Sequence, residues 1–192
     1  GDTPSRTAVY ALELFRTAGV KTVLVPGSGY GRNTKHFSTS VMQVTGVEIS
    51  TTAYKTALVF DPDSNFYNAS ALDLGFIKEK FDAVYCFNVL HLFRENERKL
   101  FLKQCAARLK AHGLMFFTVF SEKEGSFGKG AQTEPNTFES KPGRPVHYFT
   151  ENDLKGHFGG MKIIESGILE DPENHGAEGP HTHRLRYIYA KI

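Results

Sequence analysis

The chain has 192 residues, the length of one ordinary domain, with 40% apolar and 23% charged side chains, enough to bury a real core. Lys and Arg number 23 against 21 Asp and Glu, a net charge of +2 spread along the chain, which excludes a nucleic-acid-binding stripe or a polybasic membrane patch. Apolar runs such as Leu114–Phe117 fall far short of the ~20 residues that span a bilayer, and no charged-then-apolar leader opens the sequence. Cys86 and Cys105 make no disulfide framework, so a reducing, cytoplasmic setting is expected.

Pro4–Ala18 carries Val9, Leu12, Leu14 and Phe15 at helical spacing, and Gly19 ends it. Thr22–Val25 reads as a buried strand running into Pro26-Gly27-Ser28-Gly29-Tyr30-Gly31, after which Arg32–Ser38 begins a helix. Val41–Ile49 is a second strand, with Ser50 as N-cap of a helix over Thr51–Phe60. Asn65–Tyr67 is a short third strand, and Phe81–Phe87, nearly all apolar, a fourth buried on both faces. Glu95–Lys110 is a helix with Gly113 as its stop, and Leu114–Phe120 a fifth strand. Ser121–Pro145 shows neither helix nor strand period and reads as a long loop, a lid or binding segment. Thr150–Phe158 opens with a capping box, and Met161–Leu169 and Leu185–Ile192 are two last strands pairing as an antiparallel hairpin. Strands alternating with helices mean a doubly wound, mostly parallel α/β sheet.

The glycine turn carries the chemistry. A strand entering Gly-x-Gly-x-Gly and leaving as a helix lets backbone approach a ligand where a Cβ would collide. Glu48, at the end of the second strand, is placed to accept hydrogen bonds from both hydroxyls of a ribose. A dinucleotide fingerprint would need Gly at position 32, which is Arg32, and a phosphate-binding loop would need Gly-Lys-Ser/Thr. Both are absent, which disfavours an NAD-dependent oxidoreductase.

Gly27, Gly29 and Gly31 with Glu48 resemble the class I S-adenosylmethionine-dependent methyltransferases. The fourth-strand motif Phe81-Asp82-Ala83-Val84-Tyr85-Cys86-Phe87-Asn88-Val89-Leu90-His91-Leu92 carries the resemblance further. So do Ser70-Ala71-Leu72-Asp73 and the passage Arg108–Leu114. Gly-Tyr-Gly-Arg-Asn-Thr and Pro-Val-His-Tyr-Phe-Thr-Glu-Asn-Asp-Leu are similar to the small-molecule, tellurite-resistance-type branch. One departure is Val25, where many members carry an acid two residues before the first Gly.

The resemblance implies a single domain over residues 1–192 with a Rossmann-like seven-stranded sheet and a C-terminal antiparallel hairpin, residues 121–149 forming a lid. It implies that S-adenosylmethionine is bound and leaves as S-adenosylhomocysteine. Gly27, Ser28, Gly29 and Gly31 would line the methionine and ribose, Glu48 would hold the ribose, and Ile49 would cover the adenine. Ser70 and Ala71 would meet the adenine edge, while Cys86, Phe87 and Asn88 would face the methionine. The expected function is methyl transfer to a small-molecule acceptor by in-line displacement, with no nucleic-acid or membrane partner. The alternative is a non-catalytic cofactor-binding module.

Displacement at a sulfonium needs alignment within ~3–3.5 Å and exclusion of water more than covalent help, so no triad is required. His91, His147 and Tyr148 are the catalytic candidates, and His36, His112 and His157 read as surface or capping residues. His175, His181 and His183 lie in the last turn, where they could hold a metal, contact substrate or stand in solvent. Lys129, Lys141 and Arg144 give the lid a positive bias suited to an anionic acceptor.

Overall fold

The structure is a computed structural model, and it describes residues 1–174 and 179–192. Its strands are β1 Thr22–Pro26, β2 Gln43–Val47, β3 Asn65–Tyr67, β4 Phe81–Phe87, β5 Leu109–Phe120, β6 Ala131–Glu134, β7 Thr137–Lys141, β8 Arg144–His147, β9 Lys162–Asn174 and β10 Pro180–Lys191. The helices are α1 Arg6–Thr17, α2 Arg32–Ser38, α3 Thr51–Phe60, α4 Glu95–Ala107 and α5 Glu151–His157, with a 3-10 turn at Leu90–Leu92. The main sheet has seven strands in the order β3-β2-β1-β4-β5-β10-β9. β1 to β5 are mutually parallel, and β10 runs antiparallel between β5 and β9. Among the described residues no helix is long and apolar enough to cross a membrane.

β4 shows why the centre of the sheet reads as a continuous apolar run. Ala83 and Tyr85 pack with α1 and α2 residues such as Phe15 and Phe37. Val84 and Cys86 face the other way, onto Phe101, Cys105 and Phe158 of the α4 and α5 side. A strand covered on both faces has no polar side to alternate with. Side-chain caps fix where the helices begin: Ser5, Ser50 and Thr150 accept the amides of Ala8, Ala53 and Asp153 at 3.2, 3.3 and 3.2 Å.

Four expectations change. In α1 the buried stripe is Ala8, Ala11, Leu12 and Phe15, and Val9 is 42% exposed; small Ala side chains let the helix lie close to the sheet. β2 begins at Gln43, because Val41 is 91% exposed with φ of 67°. α4 ends at Ala107 with Arg108 as its cap, and Leu109 already pairs with Phe81. Gly113 therefore closes a bulge within β5 rather than stopping a helix, and a Cβ there would lie 2.8 Å from that of Leu109. Finally, residues 121–145 are not a plain loop, since β6, β7 and β8 form a small antiparallel sheet of their own.

That small sheet is fastened to the main body by ion pairs and hydrogen bonds. Arg94 pairs with Glu139, Arg98 lies 3.6 Å from Glu134, and His147 Nε2 lies 2.6 Å from Asp153. At the opposite end of the sheet Asp82 accepts from the amides of Lys21 and Thr22 at 2.8 and 2.9 Å and pairs with Lys110 at 2.9 Å. Burial alone would raise its pKa, but Lys110 and the two amides hold it below the usual carboxylate value. A depressed carboxylate stabilises above its unfolded pKa and ceases to as pH falls through the folded one. Asp82→Ala is accordingly expected to cost about 1–3 kcal/mol at pH 7. Urea unfolding should show the gap to the wild type closing as pH is lowered below the carboxylate range.

Candidate cofactor and acceptor site

The sheet order reverses between β1 and β4, and the carboxyl ends of these two strands open a crevice there. β1 delivers the turn Gly27–Gly31, in which all three glycines have positive φ, of 70°, 60° and 99°. At Gly27 the need for glycine is also spatial, because a Cβ would fall 2.3 Å from Cγ2 of Val89, the second residue past β4. The amides of Gly27 and Ser28 both donate to the Val47 carbonyl, at 2.7 and 3.1 Å, which ties the turn to the end of β2.

Glu48 follows β2 directly. Its two oxygens accept from the Gly29 amide at 2.9 Å and the Ser50 amide at 2.8 Å, so the carboxylate bridges the turn and the start of α3. Asn68, which sequence reasoning passed over, donates to the carbonyls of Glu48 and Ile49 at 2.8 and 3.1 Å and holds this strand end against β3. Ile49 is 71% exposed, an open apolar face beside the carboxylate. Ala71 is half-buried beside the core, and the Ser70 hydroxyl accepts the Leu72 amide at 3.2 Å.

At the tip of β4, Asn88 takes a left-handed backbone with φ of 57°. Thr118 on β5 locks it, its hydroxyl donating to Asn88 Oδ1 at 3.1 Å. Phe87 is half-buried beneath the Arg32 guanidinium, 5.3 Å from the ring centroid. Cys86 differs from expectation: it is fully buried in the core on the α4 side, because side chains alternate along the strand.

The three catalytic candidates are all buried and bonded within the protein. His91, 2% exposed, accepts the Phe120 amide on Nδ1 at 3.2 Å and stacks on the Phe120 ring at 4.1 Å. Burial, aided by His183 and His147, pushes its pKa down to about 3, so it is a neutral imidazole at any physiological pH. His147 lies between Thr137 Oγ1 at 2.8 Å and Asp153 at 2.6 Å. Tyr148 donates to Ser126 at 2.8 Å. His157, read from sequence as a surface residue, accepts from the buried Arg98 at 3.1 Å and faces Asp153. Burial would raise Asp153, but hydrogen bonds from His147 and His157 hold it well below the carboxylate range.

His181 and His183 lie within β10 rather than in a turn, and His175 lies outside the described residues. His183 Nδ1 is 2.6 Å from Glu124, and its Nε2 is 3.0 Å from Nε2 of His181. The Glu124 hydrogen bond raises the His183 pKa against the effect of burial. Among the described residues no group of three or more His, Cys, Asp or Glu side chains is arranged to hold a metal. Lys129, Lys141 and Arg144 are all exposed on the small sheet and its approach.

Two cavities matter. One of about 730 Å³ lies between α4, α5 and the β6–β7 turn, lined by Arg98, Glu134, His147 and His157, away from the glycine turn. The other, about 630 Å³, adjoins that turn and is lined by Ser5, Arg6, Tyr30, Arg32, Asp171 and Glu173. Arg32 pairs with Glu173 at 2.6 Å and so straps the β9–β10 hairpin to the start of α2.

Residues 24–117 match the family described as a methyltransferase domain. No curated protein matches the chain. Among solved structures, the chain is similar to an S-adenosylmethionine-dependent methyltransferase from Clostridium acetobutylicum, with TM-score 0.76, 14% identity, and 96% and 90% of the two chains covered. It is similar to the Burkholderia thailandensis 1,6-didemethyltoxoflavin-N1-methyltransferase, solved with 1,6-didemethyltoxoflavin and S-adenosylhomocysteine, with TM-score 0.71, 19% identity, and 97% and 78% covered. It is also similar to TehB from Haemophilus influenzae, with TM-score 0.73, 13% identity, and 95% and 61% covered.

Glycine without space for a Cβ, a carboxylate on the turn and an open apolar face beside it fit an adenosine-bearing cofactor. Gly27→Ala is expected to abolish S-adenosylhomocysteine binding in calorimetry, through both the Val89 overlap and the positive φ. Adding Val89→Ala should restore part of the affinity, since it removes the overlap and leaves the backbone strain. The sheet order and the glycine turn with its partner carboxylate are those of the S-adenosylmethionine-dependent methyltransferase fold, and within it residues 24–117 match a methyltransferase domain.

Proposed function

We propose that this methyltransferase acts on a small-molecule acceptor in the cytoplasm, bound in the cavity between the glycine turn, the segment before α1 and the β9–β10 hairpin. The observation that carries the reading is the adjacency of that 630 Å³ cavity to the glycine turn, with Arg32 common to both. A space of this size takes a compact organic molecule rather than a polymer. The Burkholderia neighbour, whose acceptor is a small heterocycle, supports the same class. The TehB likeness is one of fold and favours no particular acceptor.

In this reading Gly27, Ser28, Gly29 and Gly31 cradle the methionine and ribose, with Glu48 turned to the ribose hydroxyls. Ile49, Ser70 and Ala71 form the adenine end, and Phe87 and Asn88 the methionine end. Bound S-adenosylmethionine supplies a sulfonium methyl open to in-line attack. The chain's own work is to orient the acceptor and keep water out, and residues 121–149 serve as the lid that does so. Arg32, the first residue after the turn, bonds to Glu173 of the hairpin wall and so ties the acceptor side to the cofactor side.

Calorimetric titration with S-adenosylhomocysteine, with NADH as control, tests the cofactor half. Micromolar or tighter binding of the first alone is expected. Glu48→Ala should weaken it by about 1–3 kcal/mol, the scale of a lost charge-assisted hydrogen bond. Unchanged affinity in that variant would remove Glu48 from the ribose.

A further inference from the structure

Directly opposed residues of an antiparallel pair share a face of the sheet. Asp171 stands opposite His183, and Glu173 opposite His181. Since Asp171 and Glu173 line the 630 Å³ cavity, the two imidazoles stand beside it, on the same face of the hairpin. Glu124, 9% exposed, is fixed at both oxygens, one on His183 Nδ1 and the other on the Arg184 amide, each at 2.6 Å. A carboxylate so placed holds the Nδ1–H tautomer and leaves Nε2 as the basic nitrogen. Phe120, at the end of β5, stacks on the His183 ring at 5.0 Å and fixes its plane. The Nε2 of His181, 3.0 Å from that of His183, shows that a polar atom fits at hydrogen-bonding distance from the basic nitrogen.

We propose that His183, oriented by Glu124, is the general base of the transfer, and hence that the acceptor arrives protonated, as an O–H, N–H or S–H nucleophile. The inference rests on the methyl-transfer reading above. The acceptor atom forms its bond to the methyl carbon as the S–CH3 bond breaks, and that bonding pair stays on sulfur. The acceptor's proton goes to Nε2 of His183, giving an imidazolium whose Nδ1–H remains on Glu124. The acceptor atom takes the place now held by the His181 nitrogen.

The charges around His183 favour its taking a proton. Glu124 reaches it from the segment after β5, and Asp171 and Glu173 from β9, while Arg32 is engaged by Glu173. His181 adjoins it on β10, and His91, behind Phe120, is neutral. A base works only while Nε2 is unprotonated, so turnover should fall as pH drops through the His183 pKa. Losing the Glu124 charge should move that limb to lower pH.

The test uses the full chain as wild type, His183→Asn and Glu124→Gln. S-adenosylhomocysteine affinity is expected to agree within about threefold across the three, which also shows that the variants fold. Failure of the wild type to bind would overturn the cofactor reading, and this one with it. Release of S-adenosylhomocysteine is then followed with phenol and 2-mercaptoethanol, and with iodide, an anion that needs no deprotonation. His183→Asn is expected to lose about 100-fold or more in kcat on the protonated acceptors, the scale of general base catalysis, and nothing on iodide. Glu124→Gln should lose less and show the shifted acid limb.

Near-normal turnover of phenol or thiol by His183→Asn would overturn the proposal. So would wild-type turnover of iodide alone, or activity removed by a chelator and restored by a metal. If none of the three probes is methylated, NMR titration of the His183 ring decides. An Nδ1–H tautomer that titrates above ordinary imidazole and drops in Glu124→Gln supports the base, and ordinary titration in both proteins rejects it.

Discussion

The close approach of Val89 to Gly27 is the constraint on which the rest of the site depends. A parallel sheet whose order reverses between β1 and β4 leaves their two carboxyl ends side by side with no strand crossing above them. Only a residue without Cβ lets the chain leaving β1 turn under the chain leaving β4. That turn aims the Gly29 amide at Glu48, and Glu48 in turn spans to the Ser50 amide where α3 begins. On the other side, Asn88 bends away in a left-handed conformation held by Thr118. The glycine turn and the tip of β4 are thus two sides of one crossing.

The surroundings of the 630 Å³ cavity are built from parts distant in sequence and joined by charge. Arg32, at the position where a dinucleotide-binding chain would carry glycine, reaches across to Glu173 and lies over Phe87. Arg186 on β10 grips Glu122 through two hydrogen bonds of 2.9 and 2.5 Å and also donates to the Phe149 carbonyl, which fixes the segment leaving β5. Glu124, two residues on, is therefore presented to His183 by a braced backbone rather than a wandering loop. The small sheet β6–β8 is secured separately, through Arg94, Arg98 and the His147–Asp153–His157 cluster. Phe138 of β7 and Tyr148, just past β8, both meet Phe127 edge-on.

Elements whose chemistry is local were legible in the sequence. The bounds of α2, α3, β3 and β4 follow directly from the glycine turn, the Ser50 cap and an apolar run with no polar alternation. The glycine turn and Glu48 were legible for the same reason, since backbone freedom and a strand-end acid leave a spacing behind. The small sheet was not, because Ala131–Glu134 and Arg144–His147 are short, largely polar strands whose stability comes from pairing and from Arg94 and Arg98 far upstream. Nor was the length of the last hairpin, whose outer halves carry Glu170, Asp171, Glu173 and the histidines in place of an apolar period. His157 read as exposed because nothing near it in sequence announces Arg98. Contacts that cross the chain by many residues leave no periodic mark.

His91 and His183 show why residue type alone could not assign the chemistry. Both rings stack on Phe120, at 4.1 and 5.0 Å. The backbone amide of Phe120 donates to His91 Nδ1, so that nitrogen is an acceptor, and burial, aided by His183 and His147, keeps the ring neutral. On His183 the same atom meets the Glu124 carboxylate, which reverses its role to donor and raises the affinity of the ring for a second proton. One imidazole is thereby a fixed structural group and the other a group able to take up and give back a proton. The difference is made by what each Nδ1 faces, a peptide N–H in one case and a carboxylate in the other, and each of those partners lies 29 or more residues away in the chain.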